Sequence, residues 1–197
     1  WHEARVPTIA TSVPRAAFAS VTAKLKPHLR VPLVATNRIN MPDVAEQILA
    51  HGQADMVSMA RPLLADAQWL NKAKSGNTAL INTCIACNQA CLDHVFENKK
   101  AGCLVNPRAC RETELNYLPT KTKKRIAVVG SGPAGLSFAT VAAERGHAVT
   151  VFDAAAEIGG QFNYAKQIPG KEEFHETIRY YTNMLLKHHI EVKLNHH

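Results

Sequence analysis

The sequence predicts an α/β fold with parallel strands, on three observations. Short β-branched runs alternate with amphipathic stretches, a glycine-rich turn joins one such run to an Ala-rich helix, and a cysteine-dense stretch between the two regions has no periodicity. At 197 residues there is room for one large or two small domains, and 46% apolar residues suffice for a core in either case. In chain order, PRAAFASVTAKLKPHL (14–29) sets Ala17, Phe18, Val21 and Leu25 at helical spacing, and VPLVAT reads as a short buried parallel strand. Pro42 and Asp43 open a helix that Gly52 closes, ADMVSMA is the next buried strand, and ADAQWLNKAKSG is a third helix ending at Gly76. Past the cysteines, PTKTKKR (119–125) is a polar linker. A strand at 125–129, a helix at 133–145 closed by Gly146, the strand HAVTVFD, a helix over 171–188 and the strand IEVKLN follow. The expected segments are therefore 1–80, 81–118 and 119–197.

The net charge of +7 is scattered apart from the run at 121–125, and aromatics are only 6% of the chain. That pattern suits small anionic ligands such as phosphates or coenzyme A, and excludes a nucleic-acid groove, which needs a denser basic stripe with aromatics between. No run of about 18 apolar residues is present for a membrane span, and WHEARVPT lacks the apolar stretch of a signal peptide. The expectation is a soluble, cytoplasmic protein, and a start at Trp1 and a stop just after a strand suggest part of something longer.

Four of the five cysteines follow the pattern Cys84-x2-Cys87-x3-Cys91-x11-Cys103, with Cys110 outside it. Three close thiolates and a fourth returning on a longer loop suit a four-iron cluster. Structural zinc is the alternative, although it usually brings two separated close pairs and this sequence has one. Gly130-Ser131-Gly132-Pro133-Ala134-Gly135 is a G-x-G-x-x-G between a strand and a helix. Gly130 permits the turn, Gly132 admits a pyrophosphate, and Gly135 lets helix and strand pack. Asp153 ends the next strand at a distance suited to an adenosine ribose. FAD and NAD(P) both remain open on these residues. The strand ends of the first segment present His2-Glu3, Thr36-Asn37-Arg38 and Met59-Ala60-Arg61-Pro62, where ligands of parallel sheets gather and where Arg38 and Arg61 could meet a phosphate.

Taken together, WHEARVPTIAT, NRINMPDVAEQIL, ADMVSMARP, NTCIACNQACLD, GCLVNPRAC, GSGPAGLSFA and EIGGQFNYAKQIPGKEEF carry a resemblance over nearly the whole chain. The chain resembles the bacterial NADPH-dependent 2,4-dienoyl-CoA reductases of the Old Yellow Enzyme-related iron–sulfur flavoenzyme family, a group that also holds amine dehydrogenases. The resemblance implies the C-terminal part of a (β/α)8 TIM barrel that binds FMN, a [4Fe–4S] loop, and the start of a Rossmann-like FAD domain. It implies electron flow from NADPH through FAD, cluster and FMN to an unsaturated acyl-CoA of fatty-acid β-oxidation, with this section alone inactive. It further implies that His2 helps protonate the dienolate, that Glu3, Ala4 and Arg5 line the acyl-CoA pocket, and that Arg38, Ala60 and Arg61 hold FMN. FAD would fall to Gly130, Gly132, Pro133, Ala134, Gly135, Asp153 and Gln161, and the cluster to Cys84, Cys87, Cys91 and Cys103. An amine dehydrogenase is the alternative within the family. A non-catalytic zinc ribbon joined to a nucleotide-binding module is the alternative outside it.

Overall fold

The computed structural model describes residues 10–197, and the chain divides into two compact units, Trp1–Arg111 and Glu112–His197. The fold is α/β with parallel sheets in both units. No helix among the described residues is long and apolar enough to cross a membrane.

In the first unit, α1 (Ala19–Leu25), β1 (Val34–Thr36), α2 (Pro42–Ala50) and β2 (Met56–Ser58) alternate, and the strands pair in parallel with Ala35 opposite Val57. Helix α2 follows its sequence closely. Pro42 sits in the first turn, where no amide hydrogen is needed, Asp43 meets the positive end of the helix dipole, and Gly52 closes the end at φ +63°. Its Val44, Ala45 and Ile48 enter a core with Ala35, Ile39, Met41, Trp69 and Ile81.

Three expectations need correction here. The helix expected over 14–29 shrinks to α1, because Ala16 turns at φ +54° and its N–H bonds Arg38 O at 2.9 Å, tying 14–18 to the turn after β1; Val21 and Leu25 stay about half exposed. The helix expected at 65–76 is two, α3 (Arg61–Ala65) and α4 (Trp69–Lys74). The break is Asp66, extended in backbone, whose Oδ1 accepts from Gln68 N at 2.9 Å and so starts α4 in the manner of an Asx turn. Both short strands were read as buried, yet only Ala35 and Val57 pack against helices, while Val34, Thr36, Met56 and Ser58 share an open face. Later in the first unit, α5 (Leu92–Phe96) is a short helix inside the cysteine-bearing stretch.

The second unit holds β3 (Arg125–Val129), α6 (Pro133–Glu144), β4 (Ala148–Phe152), α7 (Phe162–Ala165), α8 (His175–Lys187) and β5 (Glu191–Lys193), with the strands in the parallel order β3-β4-β5. Val128, Leu136, Ala139, Val149, Val151, Tyr181, Leu185 and Ile190 form one core. Helix α8 begins at His175 rather than Lys171, since Glu172–Phe174 form a tighter 3-10 turn, and α7, which the sequence did not suggest, follows the glycine pair Gly159-Gly160.

The Gly-rich turn tests this packing. A Cβ on Gly135 would stand 2.0 Å from Gly130 O, whereas one on Gly132, at φ −69°, would meet nothing within 4 Å. Gly135→Ala is expected to lower the denaturant midpoint of the second unit by an equivalent of about 1–3 kcal/mol, the usual cost of overpacking. Gly132→Ala should leave that midpoint in place.

Candidate functional sites

The cysteine stretch is lashed to the first unit before it carries any chemistry. Ile81, Thr83 and Ile85 are fully buried. Asp66, itself buried, accepts through Oδ2 from Lys72 Nζ at 2.6 Å and from Asn82 N at 2.9 Å, while Lys72 also donates to Leu80 O at 2.8 Å. Thr83 Oγ1 donates to Met41 Sδ, and Asn40 Nδ2 to Cys84 O at 3.0 Å; Asn40 O in turn accepts from Trp69 Nε1. On the returning limb, Asn82 Nδ2 donates to Val105 O and Asn106 Nδ2 to Leu64 O. Buried amide side chains thus replace the backbone ladder that this loop lacks.

So held, Cys84, Cys87, Cys91 and Cys103 all line one partly open cavity, together with Arg61 and apolar groups such as Leu64 and Ile85. Cys110 is not among its walls. Ala86 and Asn88 lie in the left-handed region (φ +51° and +64°), which turns successive N–H groups inward. Burial pushes the Cys84 and Cys87 thiols up in pKa; the N–H of Ala86 and the charges of Arg61 and Arg38 pull Cys84 back, and the N–H of Gln89 does so for Cys87. Burial likewise raises Cys103 to about 11, against the N–H groups of Val105 and Asn106. Four thiols round one cavity, three of them met by backbone N–H donors, fit the ligand set of an iron–sulfur cluster, whose potential hydrogen bonds to sulfur would tune.

Arg38 and Arg61, expected at a flavin phosphate, lie beside this cavity. Arg38 is buried at φ +54°, and its Nε donates to Val13 O at 2.8 Å. Arg61 follows Ala60 at the start of α3; its Nη1 donates to Asn88 Oδ1 at 2.8 Å and its Nη2 to Asn37 Oδ1 at 3.4 Å. His2, Glu3, Ala4 and Arg5 lie outside the described residues.

In the second unit, β3 ends on Gly130 at φ +96°, and Pro133 sits in the first turn of α6. Gly132 precedes that helix with no side-chain cap and open space above its Cα; Ala134 is exposed. Asp153, expected at a ribose, accepts through Oδ2 from Ser131 N and Oγ (2.6 and 2.5 Å) and through Oδ1 from Ala155 N at 2.8 Å. These donors, the Ser131 hydroxyl foremost, hold its carboxyl below the ordinary range. Carboxylate oxygens accept more than one bond each, so a ribose hydroxyl can still be met. Gly159 N donates to Ser131 O at 2.8 Å, and a Cβ on Gly160 would stand 3.2 Å from Gly132 Cα, so the GGQ segment, with Gln161 exposed at its end, rests on the Gly-rich turn. Sequence reasoning missed Ser131, Asn40, Asn82, Asn88 and Asn106. Only Asn88 left a signal, since asparagine tolerates the left-handed backbone that its loop position needs.

Residues 1–79 match the NADH:flavin oxidoreductase / NADH oxidase family, and residues 128–189 match the NAD(P)-binding Rossmann-like domain. The chain is 48% identical to a metal reductase of Desulforamulus reducens over 93% of its own length and 27% of that protein. Its fold superposes on a 2-naphthoyl-CoA reductase in complex with 2-naphthoyl-CoA with a TM-score of 0.95, at 37% identity, covering 100% of this chain and 30% of that one. A 6-hydroxypseudooxynicotine amine oxidase from Pseudomonas geniculata N1 gives a TM-score of 0.88 at 27% identity, covering 94% and 29%. The chain therefore spans under a third of the length of these relatives.

The raised Cys103 thiol has a consequence for pH. An unfolded cysteine ionises near 9 and the folded one near 11, so its contribution to stability is complete below about pH 9 and is lost between 9 and 11. Metal-free protein should lose stability over that window, by up to about 2–3 kcal/mol from this group. Urea midpoints of wild type and Cys103→Ser compared at pH 8 and pH 11 check it, the variant being expected to show a shallower fall.

Proposed function

Because residues 1–79 belong with the NADH:flavin oxidoreductase / NADH oxidase family and residues 128–189 with NAD(P)-binding Rossmann-like domains, we propose that the chain is the relay section of a multi-cofactor reductase of unsaturated acyl-CoA thioesters. The observation that carries this reading is the cavity lined by Cys84, Cys87, Cys91 and Cys103 on a rigidly anchored loop. These residues would hold a [4Fe–4S] cluster, Arg38, Ala60 and Arg61 would meet FMN at the end of a barrel sheet, and the Gly130–Gly135 turn with Asp153 and Gln161 would hold FAD. When bound, these groups supply hydride acceptance from NADPH at FAD, single-electron relay at the cluster and hydride delivery at FMN. The chain's own contribution is positional: the Gly-rich turn offers N–H groups and close backbone approach to a pyrophosphate, and the anchored loop keeps four sulfurs around one cavity. His2 would serve on the substrate side as an acid to the dienolate, beside Glu3, Ala4 and Arg5.

Likeness to a reductase of an aryl-CoA thioester supports the acyl-CoA class. Likeness to an amine oxidase supports an amine dehydrogenase as the second reading. Anaerobically purified full-length protein is expected to contain iron, acid-labile sulfide, FMN and FAD, to oxidise NADPH with a 2,4-dienoyl-CoA as electron acceptor, and not to pass electrons from a secondary or tertiary amine to an artificial acceptor such as ferricenium; amine-dependent reduction of that acceptor without dienoyl-CoA reduction would establish the amine reading.

Each of Cys84→Ala, Cys87→Ala, Cys91→Ala and Cys103→Ala should bleach the cluster absorbance and stop FMN reduction while NADPH still reduces FAD, and Cys110→Ala should change neither. Stopped-flow absorbance at flavin and cluster wavelengths reads both, and retained colour with full turnover in Cys103→Ala would sink the assignment.

A further inference from the structure

We propose that Arg61 is a positioning residue of the four-thiol cavity, holding the turn between Cys87 and Cys91 and placing a positive charge beside the cluster so as to raise its reduction potential. This rests on the reading of the cavity as a [4Fe–4S] site. The sequence placed Arg61 only at a flavin phosphate. In the structure it forms part of the cavity wall with all four cysteines, and its guanidinium forks between two loops, to Asn88 Oδ1 at 2.8 Å and to Asn37 Oδ1 at 3.4 Å. Both asparagines sit in the left-handed region, at φ +64° and +76°, where an amide side chain is tolerated and the backbone turns sharply. One end of the fork therefore fixes the residue directly after Cys87, and the other fixes the turn that follows β1.

The charge argument comes from the cavity wall. Apart from the thiols, its lining side chains are apolar groups, the Asn88 amide and Arg61, with no carboxylate among them. Four ligating thiolates bring four negative charges to a site where burial opposes charge. A cation in the wall stabilises the more negative, reduced cluster over the oxidised one, and net charge and hydrogen bonding around the sulfurs are the levers that set such potentials. Lysine could supply the charge, but it lacks the planar fork that spans Asn37 and Asn88.

The test is a redox titration of the cluster, followed by electron paramagnetic resonance, in anaerobically purified full-length protein, with iron, sulfide and FMN contents measured on the same samples. Arg61→Gln is expected to lower the midpoint by at least tenfold in the reduction equilibrium, about 59 mV for a one-electron couple. Arg61→Lys, which keeps the charge, should move it less than half as far. Asn88→Asp leaves Arg61 in place and sets a carboxylate against its guanidinium, and should also lower the midpoint. Unmoved midpoints in both Arg61→Gln and Asn88→Asp, with FMN lost from the former, would assign Arg61 to the flavin phosphate alone and overturn the inference. Where Arg61→Gln assembles no cluster, Asn88→Asp decides by the same criterion. Wild-type protein without iron and sulfide would overturn the cluster reading itself, a result distinct from an unmoved midpoint.

Discussion

Gathering four thiols in an apolar cavity opposes their ionisation, and the first unit is organised around that opposition. Burial raises three of the four thiols, most clearly Cys103. Thiolate is the form a metal takes. The counterweights are all positional: backbone N–H groups of Ala86, Gln89, Val105 and Asn106, and the cations Arg61 and Arg38. None of these donors works unless the loop has one conformation. That is the role of Asp66, Lys72, Asn40, Asn82 and Asn106, whose bonds tie an irregular strand to α3, α4 and the turn after β1. Removing Asp66 would leave Lys72 and Asn82 N without their shared acceptor in a buried setting, which is why the anchor is costly to lose in one part and stable as a whole.

In the second unit the Gly-rich turn is built from backbone. Gly130 bends the chain at φ +96°, Gly135 allows helix and strand to touch, and Gly160 lies over Gly132, so that the backbone alone forms the surface a pyrophosphate would meet. Asp153 braces Ser131 from the next strand end, and because both its oxygens receive N–H or O–H donors, its carboxyl is held below the ordinary range. The carboxylate proposed for a ribose hydroxyl therefore also holds the Gly-rich turn through Ser131, so that substitutions at Asp153 would disturb the turn as well.

What the sequence made legible follows from how local each feature is. Helix α2, the strand–GSGPAG–helix unit and the cysteine spacing depend on neighbours within a few residues, and Pro42, Gly52 and Gly135 behave as their chemistry requires. The split between α3 and α4 was hidden because Asp66 acts partly through Asn82, sixteen positions away, and periodicity does not register such a partner. The first helix was overestimated because the bond from Ala16 N to Arg38 O is non-local, and it overrides a good helical pattern. The asparagines were invisible for the same reason: an isolated Asn in sequence reads as turn chemistry, and only the fold shows Asn40 and Asn106 capping distant carbonyls.

Arg61 shows how a position legible in sequence can have a structural setting that is not. Its place at a strand's carboxyl end was legible from strand–helix alternation, and that place is where parallel sheets gather ligands. The sequence could not show that the loop bearing Cys87 returns to the same strand end. Once it does, a guanidinium with five donors in a planar fork faces both neighbours at once, and its charge enters the electrostatics of Cys84. Strand ends and cysteine loop then cease to be separate sites. A change in either reaches the other through one side chain, without any need for a longer chain of contacts.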